Sequence, residues 1–600
     1  MPRFLIVLLF LAPLSTWGFS SERTESYVQQ ALTQNLWDDP QWLRLGHYRK
    51  SWGRYHSAIE GNFFLSPEGA FNPRAELLQT IRSLFSSSEN SKHPQCRYLA
   101  RTQWLQSRLK ISDADLASCP EQDSWKKVLG AEELYIVFAS SDLNSAGSSF
   151  GHTFLRAHNP KNTKERELLD YGINYAALTG EDSGALFALK GLFGFYPGAY
   201  SMLPYYQKIR EYTNLEGRSL WEYKLKLSAS QVDFLINHLL ELEGSYSAYY
   251  FLTDNCSQQI LELLEVAVPE RDLTSSFRDA TIPLDTLKVL RDQWLLEGER
   301  SRPSLQAYWQ AHYKNLNSEE KQTVRQIVET GHSSELQNLS ARSQASSLEA
   351  SLSYLAIKEY RDQKEYKDLK YRLSVQRAQL GNITEPVALE TPRSPLLSPD
   401  SQAYYFSVGS QDERSFVSFK YRRAFHDLLS DDSGLSPFSH LEVLGMELRY
   451  ETEAERLDLH QMTLLKIFNS PPVTEFETPL TWRFDLGTEP KFNPYLHWGV
   501  GFSRDLPFKN FSRASLLFVN DNFDLANIPR PHVGLETLLM SKWNNGLRSV
   551  ISARALQNTR TGHVLGVGSA GVSWGGQSIE YRFETELYDR VPLVKASVIF

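Results

Sequence analysis

A cysteine reacts as its thiolate, so the setting of each thiol decides what it can do. The chain carries three, Cys96, Cys119 and Cys256. In an oxidising compartment Cys96 and Cys119 are close enough in sequence to pair, which leaves Cys256 single. Cys256 follows the aromatic run Tyr249-Tyr250-Phe251-Leu252 and stands in Thr253-Asp254-Asn255-Cys256-Ser257, ahead of Ile260, Leu261, Leu263 and Leu264. That spacing predicts a helix opening at the thiol, capped by Thr253, Asp254 or Asn255. Unpaired N–H groups and the positive end of the helix dipole would favour thiolate, and the same N–H groups could hold an oxyanion. A buried, inert cysteine is the alternative.

A thiolate nucleophile needs a base and a group that orients the base. Of 14 histidines, His152 has the best context, behind the small-residue loop Ser140–Ser149 and at the start of Gly151-His152-Thr153-Phe154-Leu155-Arg156. His158 sits in a polar turn before Pro160, and His238 falls on the apolar face of a helix, where a satisfied core imidazole is expected. Asp170 is the first choice for the orienting group, with Asn174 second. The glycine-aromatic stretch Leu192–Tyr200 suits an acyl groove or lid, or else ordinary loop packing. Ser149, Asn174, Phe195, Tyr196, Tyr205 and Asn255 are the candidate groove residues. Nothing in the sequence calls for a metal or an organic cofactor.

Ser149–Arg156, Asp170-Tyr171-Gly172, Gly194–Gly198, Pro204–Ile209, Leu220–Tyr223 and Asn255-Cys256-Ser257 together resemble the N-terminal periplasmic domain of Lnb-type lipoprotein N-acyltransferases, over roughly residues 130 to 270. Histidine first and cysteine last is the order of circularly permuted papain-like folds, shared with lecithin retinol acyltransferase and its relatives. The resemblance implies His152 as base, Cys256 as nucleophile and a covalent acyl-thioester. The favoured substrates are a phospholipid acyl donor and an amine acceptor, a lipoprotein or another. One departure stands out: Lnb-type enzymes carry transmembrane helices after this domain, and here no long apolar run follows the N-terminus. Two other readings compete. One is a cysteine hydrolase of peptides or peptidoglycan using the same dyad; the other is a non-catalytic outer-membrane scaffold.

The elements that would position these residues follow from patterning. Met1-Pro2-Arg3 and the short apolar run Phe4–Ala12 read as a signal peptide over 1–19, implying export. Residues 20–130 read as a helical domain, with Tyr27, Ala31, Leu32 and Leu36 at helical spacing. Residues 131–270 mix short strands with a helix near 230–242 and form the α+β domain of the candidate site. Residues 271–385 read as a charged helical connector. Residues 386–600 change period: Ile579, Tyr581, Phe583, Thr585 and Leu587 alternate with Ser578, Glu580, Arg582, Glu584 and Glu586. About twelve such segments predict an antiparallel β-barrel of the outer-membrane kind, against a soluble β-sandwich. The final strand ending in Phe600 has an assembly-signal character. The expected architecture is therefore multidomain α+β, with a helical N-terminal domain, a permuted papain-like catalytic domain, a helical connector and a barrel. Aromatics make up 12 %, which suits a membrane-facing barrel, while a net charge of −8 gives no sign of nucleic-acid binding.

Overall fold

The computed structural model describes residues 21–85, 93–143, 148–180, 182, 184–277, 279–383, 389, 393–507, 511–523, 530–543, 545–576 and 578–600. The expected signal peptide lies outside them. The chain separates into two compact units that interleave in sequence. The first takes residues up to Tyr135, then Leu155–Pro204 and Leu225–Phe277. The second takes Ile136–Phe154, Tyr205–Lys224 and Arg278–Phe600.

In the first unit the helices Ser21–Thr33, Pro40–Leu45, Pro73–Leu84 and Leu99–Leu109 bury a shared core of Val28, Leu45, Leu77, Ile81, Trp104 and Leu105. The apolar spacing read from the sequence forms this core. The stretch expected to be helical is interrupted, however. Strands β1 (Tyr48–Ser51) and β2 (Arg54–Ser57) make a hairpin, and β3 (Glu60–Gly61) follows. The reason is local: Trp52 and Gly53 both take positive φ, the conformation of a two-residue hairpin turn. Cys96 and Cys119 are disulfide-bonded, and Cys256 is a free, buried thiol.

The same unit holds the antiparallel ladder that frames the candidate nucleophile. With β4 at Glu133–Ala139 and β5 at His152–His158, the order from β5 runs to β6 (Tyr171–Ala177), β7 (Tyr196–Pro204), β9 (Ser245–Tyr249) and β3. Helix Ala229–Glu241 opens on a capping box of Ser228 and Gln231, and helix Cys256–Ala267 packs on β6.

In the second unit, β8 (Leu220–Leu225) lies between β4 and β10 (Leu296–Arg302). Helices Leu305–Lys314, Ser318–Thr330, Ala341–Asp362 and Lys367–Gln379 then form a bundle around Trp309, Val324, Ile327, Leu348 and Leu355. The rest is a closed barrel. Its strands are β11 (Gln402–Gln411), β12 (Arg414–Arg423), the short β13 (Phe425–His426), β14 (His440–Glu451), β15 (Arg456–Asn469), β16 (Thr481–Glu489) and β17 (Asn493–Leu506). They continue with β18 (Phe511–Phe523), β19 (Arg530–Lys542), β20 (Arg548–Asn558), β21 (Val564–Gly575), β22 (Glu580–Tyr588) and β23 (Val591–Ile599). Twelve long antiparallel strands close on themselves: β11 pairs with β23, and β12 with β14 across the short β13.

The barrel reverses the burial of a water-soluble protein. Phe406, Val408, Val500, Phe518, Leu535, Ile551, Tyr581 and Phe583 are exposed, while Ser407, Arg422, Glu442, Arg449, Asp521, Glu536 and Arg582 are buried. An apolar outer wall around a charged interior is what a bilayer requires, and a soluble sandwich would bury the opposite set. Residues 424–439, between β12 and β14, help fill the interior. Asp427 accepts from Arg422 (2.9 Å), Arg582 (2.8 Å) and Tyr405 (3.1 Å), and Phe438 joins Leu517, Val519 and Met540. An even strand number puts both ends of the barrel on one side. At the opposite end the connections 412–413, 452–455, 490–492 and 589–590 are short.

Candidate functional site

Helix Cys256–Ala267 begins at Cys256 itself. Of the three capping candidates, Asn255 does the work: its side-chain oxygen accepts from the N–H groups of Ser257 (3.0 Å) and Gln258 (3.2 Å). The Cys256 N–H is taken as well, donated to the Tyr249 hydroxyl at 3.2 Å. The first-turn donors expected to be open to an oxyanion are thus engaged by the protein, because a buried helix start must satisfy them itself. Burial keeps the Tyr249 phenol well above its ordinary pKa, so its O–H proton stays in place beside the thiol. Tyr249, the first residue of the aromatic run, ends the strand that leads into the thiol, seven residues before it.

The turn between β9 and the helix is fixed at both ends. Tyr250 N–H reaches the Asp254 carbonyl (3.2 Å), and Phe251 N–H reaches the Gly191 carbonyl (2.9 Å). Arg49, on the β1–β2 hairpin, is salt-bridged to Asp254 and donates through Nε to Glu262 at 3.0 Å. Burial opposes ionisation of Glu262, yet Arg49 and His47 hold its carboxyl down at about 2. Arg49 therefore clamps the residue two before the thiol to the second turn of its helix, across more than 200 residues of sequence.

The glycine-aromatic stretch lies against this turn. An added Cβ at Gly191 would sit 2.2 Å from the Phe251 ring, and one at Gly194, where φ is +74°, 2.3 Å from the Tyr250 ring. Only glycine permits so close an approach there. The same stretch presents Leu186, Leu189 and Leu192 from helix Gly184–Leu192, then Phe193 (60 % exposed) and Phe195 (71 %). Tyr196 points the other way: it is buried and donates to Asp182 at 2.8 Å. Asn174, on β6, is also buried.

Asp170 is buried, and its carboxylate has several claimants. His158 Nδ1 lies 2.7 Å from Oδ2, Asn162 donates to Oδ1 at 2.7 Å, and Arg156 Nε is 3.7 Å from Oδ2. The histidine that Asp170 holds in this first unit is His158. His238 is the satisfied core imidazole expected of it, between His47 (3.0 Å, Nε2 to Nε2) and Glu241 (3.1 Å).

His152 belongs to the second unit, at the first position of β5. Its ring stacks on Tyr212 (centroids 5.7 Å apart, 26° between planes) and lies 6.3 Å from Phe154. Gly151, at φ +81°, turns the chain into the strand, with the Phe138 ring 2.6 Å from where a Cβ would be. Arg218 ties the ends of the preceding loop, donating to the carbonyls of Ala139 (3.0 Å) and Ser140 (2.5 Å) and to the Ser148 hydroxyl (3.2 Å). Ser149 is buried there. Tyr205 is a core residue that donates to Glu222 at 2.7 Å. Tyr212 and Arg218 carry no sequence signal of their role, since both act through long-range packing.

Three stretches of the chain match family models. Residues 121–293 match the Lnb N-terminal periplasmic domain. Residues 34–108 and 392–575 match two domains of unknown function (DUF7843 and DUF7840). No curated protein matches the chain. Among solved structures, the KdgM porin shares 10 % identity, covering 33 % of this chain and 98 % of its own at a TM-score of 0.21. A loop-deletion mutant of OmpT, an outer membrane protein of Vibrio cholerae, shares 9 % identity, covering 34 % and 99 % at a TM-score of 0.16. A periplasmic domain and a bilayer-facing barrel on one chain make this an exported outer-membrane protein with its periplasmic part ahead of the barrel.

Proposed function

We propose that this protein is a thiol-dependent acyltransferase of the bacterial envelope. Cys256 is the nucleophile, His152 the base, and the transferred group an acyl chain from a phospholipid. His152 takes the Sγ–H proton as sulfur attacks the ester carbonyl; the alcohol leaves with that proton, and the acyl group rests on sulfur as a thioester. An amine of a lipoprotein or similar acceptor then attacks the thioester, passes its proton through His152 and restores the thiol. The Tyr249 hydroxyl, which accepts the Cys256 N–H, and the Ser257 hydroxyl, 3.7 Å from Sγ, stand beside the thiol, and in this reading they stabilise charge on sulfur or on the carbonyl oxygen. Asp170, with its carboxylate on His158, acts as a positioning residue that anchors the far end of β5, the strand His152 begins.

The observation that carries this reading is Cys256 as the first residue of a capped helix, inside the stretch that matches a periplasmic domain of the lipoprotein-modifying kind. The exposed Leu186, Leu189, Phe193 and Phe195 favour a lipid substrate, since a domain working only on soluble peptides has no use for such a surface. The test is intact-mass spectrometry of the full-length protein after incubation with envelope phospholipids. Wild type should gain one acyl chain on Cys256, and Cys256→Ser and His152→Ala none. Cleavage of peptides or peptidoglycan without acylation would replace this reading with a hydrolase; an unlabelled, unreactive Cys256 would leave a scaffold.

A further inference from the structure

The outer wall of the barrel carries a groove of about 810 Å³ across β17–β20, overhung by Val473 and Thr478 of the loop between β15 and β16. That size falls within the roughly 300–1,000 Å³ of small-molecule sites. Strand register explains its shape. One cross-strand row reads Arg504, Ala514, Leu539, Ile551, and the row beside it opens with Phe502 and Leu516. Ala514 is a small floor among large outward side chains, so the wall dips where its neighbours stand proud. The overhanging loop is held from outside the wall. Phe476 packs against Trp309 and Tyr354 (ring centroids 5.0 Å from each), and Glu475 and Glu477 pair with Arg325 (2.9 Å) and Arg361 (3.1 Å).

Arg504 closes one end of the groove. It is exposed, points outward in register with the apolar wall, and makes no hydrogen bond or ion pair with any described residue. A guanidinium without a counter-ion on a lipid-facing wall is costly at mid-bilayer but costs little near the interface. Arg504 stands two residues from the end of β17, at the barrel end that carries both termini, which places it at interface depth.

We propose that this groove holds one phospholipid of the periplasmic leaflet, its acyl chain lying over Ala514 between Phe502, Leu516 and Ile551, and its phosphate paired to Arg504. The wall faces hydrocarbon, which selects an alkyl occupant, and the guanidinium matches a phosphate through paired N–H donors. The site rests on the barrel alone and not on the acyl-transfer reading.

The test is native mass spectrometry of the full-length protein extracted in mild non-ionic detergent and washed free of bulk lipid. Wild type is expected to keep one phospholipid per chain, and Cys256→Ser to keep it equally, which separates this site from the acyltransferase. Ala514→Trp, which fills the floor, and Arg504→Gln should each lower retention at least tenfold. Val408→Trp, on the exposed wall of β11, should retain as wild type does. Heat-modifiable migration on gels shows which variants fold; if Ala514→Trp does not, Arg504→Gln decides alone. Wild type without bound lipid, a retained lipid lacking phosphate, or equal loss in Val408→Trp overturns the proposal.

Discussion

The backbone N–H of Cys256 points at the hydroxyl oxygen of Tyr249, 3.2 Å away, so the residue that ends one strand serves the residue that starts the next helix. With that bond and the Asn255 cap, the helix start is closed by side chains rather than left open to a ligand. Reactivity at Cys256 would therefore be tuned by Tyr249 more than by bare helix N–H groups.

Tyr249→Phe tests this. It removes the oxygen that accepts the Cys256 N–H and the O–H that faces sulfur, while the ring stays. The expected result is a roughly tenfold slower alkylation of Cys256 by iodoacetamide at neutral pH, equivalent to about 1.4 kcal/mol, in the range of one lost hydrogen bond. A rate equal to that of wild type would remove Tyr249 from the chemistry.

Arg49→Ala should loosen the turn before the thiol. It leaves Asp254 and Glu262 without their cation, and breaking a fully buried pair costs about 3–5 kcal/mol. Arg49 is 45 % exposed at its side chain, so a smaller loss, on the order of 1–2 kcal/mol, is expected. Hydrogen exchange should rise in residues 250–256 before it rises elsewhere; unchanged protection there would deny Arg49 its clamping role.

How much of this was legible in the sequence depended on the range of each interaction. The helix opening at Cys256 was readable because its signal is local, an Asn cap followed by apolar positions at helical spacing. The barrel was readable because alternation repeats in strand after strand. Arg49 was not, because its partners lie more than 200 residues away and a two-residue turn hid its hairpin inside a helical stretch. Tyr249 read only as one aromatic in a run. Asp170 was picked out as the group that orients the histidine base, but which histidine it meets depends on strand pairing, and the sequence offers no register for that pairing; its carboxylate meets His158. The inward course of residues 424–439 was equally hidden, since short polar-apolar mixtures look the same inside a barrel as on a surface.

Acid should weaken the first unit through His238. Burial pushes this imidazole down to about 4 against an ordinary 6.5, with His47, Glu241 and Arg101 facing it. Because the folded value lies below the unfolded one, its contribution is complete above about pH 6.5 and is lost as pH falls towards 4, a difference of roughly 3 kcal/mol. Glu265 works the other way: burial raises it to about 7, so its contribution is complete below about 4.5 and is lost as pH rises through 7. Wild-type stability should therefore change little between pH 6.5 and 5, whereas His238→Gln, with only the glutamate trend left, should gain stability over that interval. Parallel pH profiles for the two proteins would contradict this.

The disulfide should matter to the helical part and not to the thiol. Cys96 and Cys119 are 23 residues apart, and cross-linking a loop of that size stabilises by about 3 kcal/mol. The double variant Cys96→Ser/Cys119→Ser should melt several degrees lower, while Cys256 in the folded protein labels at the wild-type rate.

Phe406, exposed in the middle of β11, provides a check on the barrel. Phe406→Arg places a charge on the hydrocarbon face at an expected cost of about 2–4 kcal/mol and should abolish heat-modifiable migration or membrane fractionation. Normal assembly of this variant would argue that the wall meets water.

The short connections at the barrel end away from the termini have a bearing on the cell's exterior. With its periplasmic domain on one side and the described connections 412–413, 452–455, 490–492 and 589–590 all short on the other, the protein would offer phages, antibodies and surface proteases little to grip at those turns. Its working parts would be concealed from the environment by the membrane that holds it.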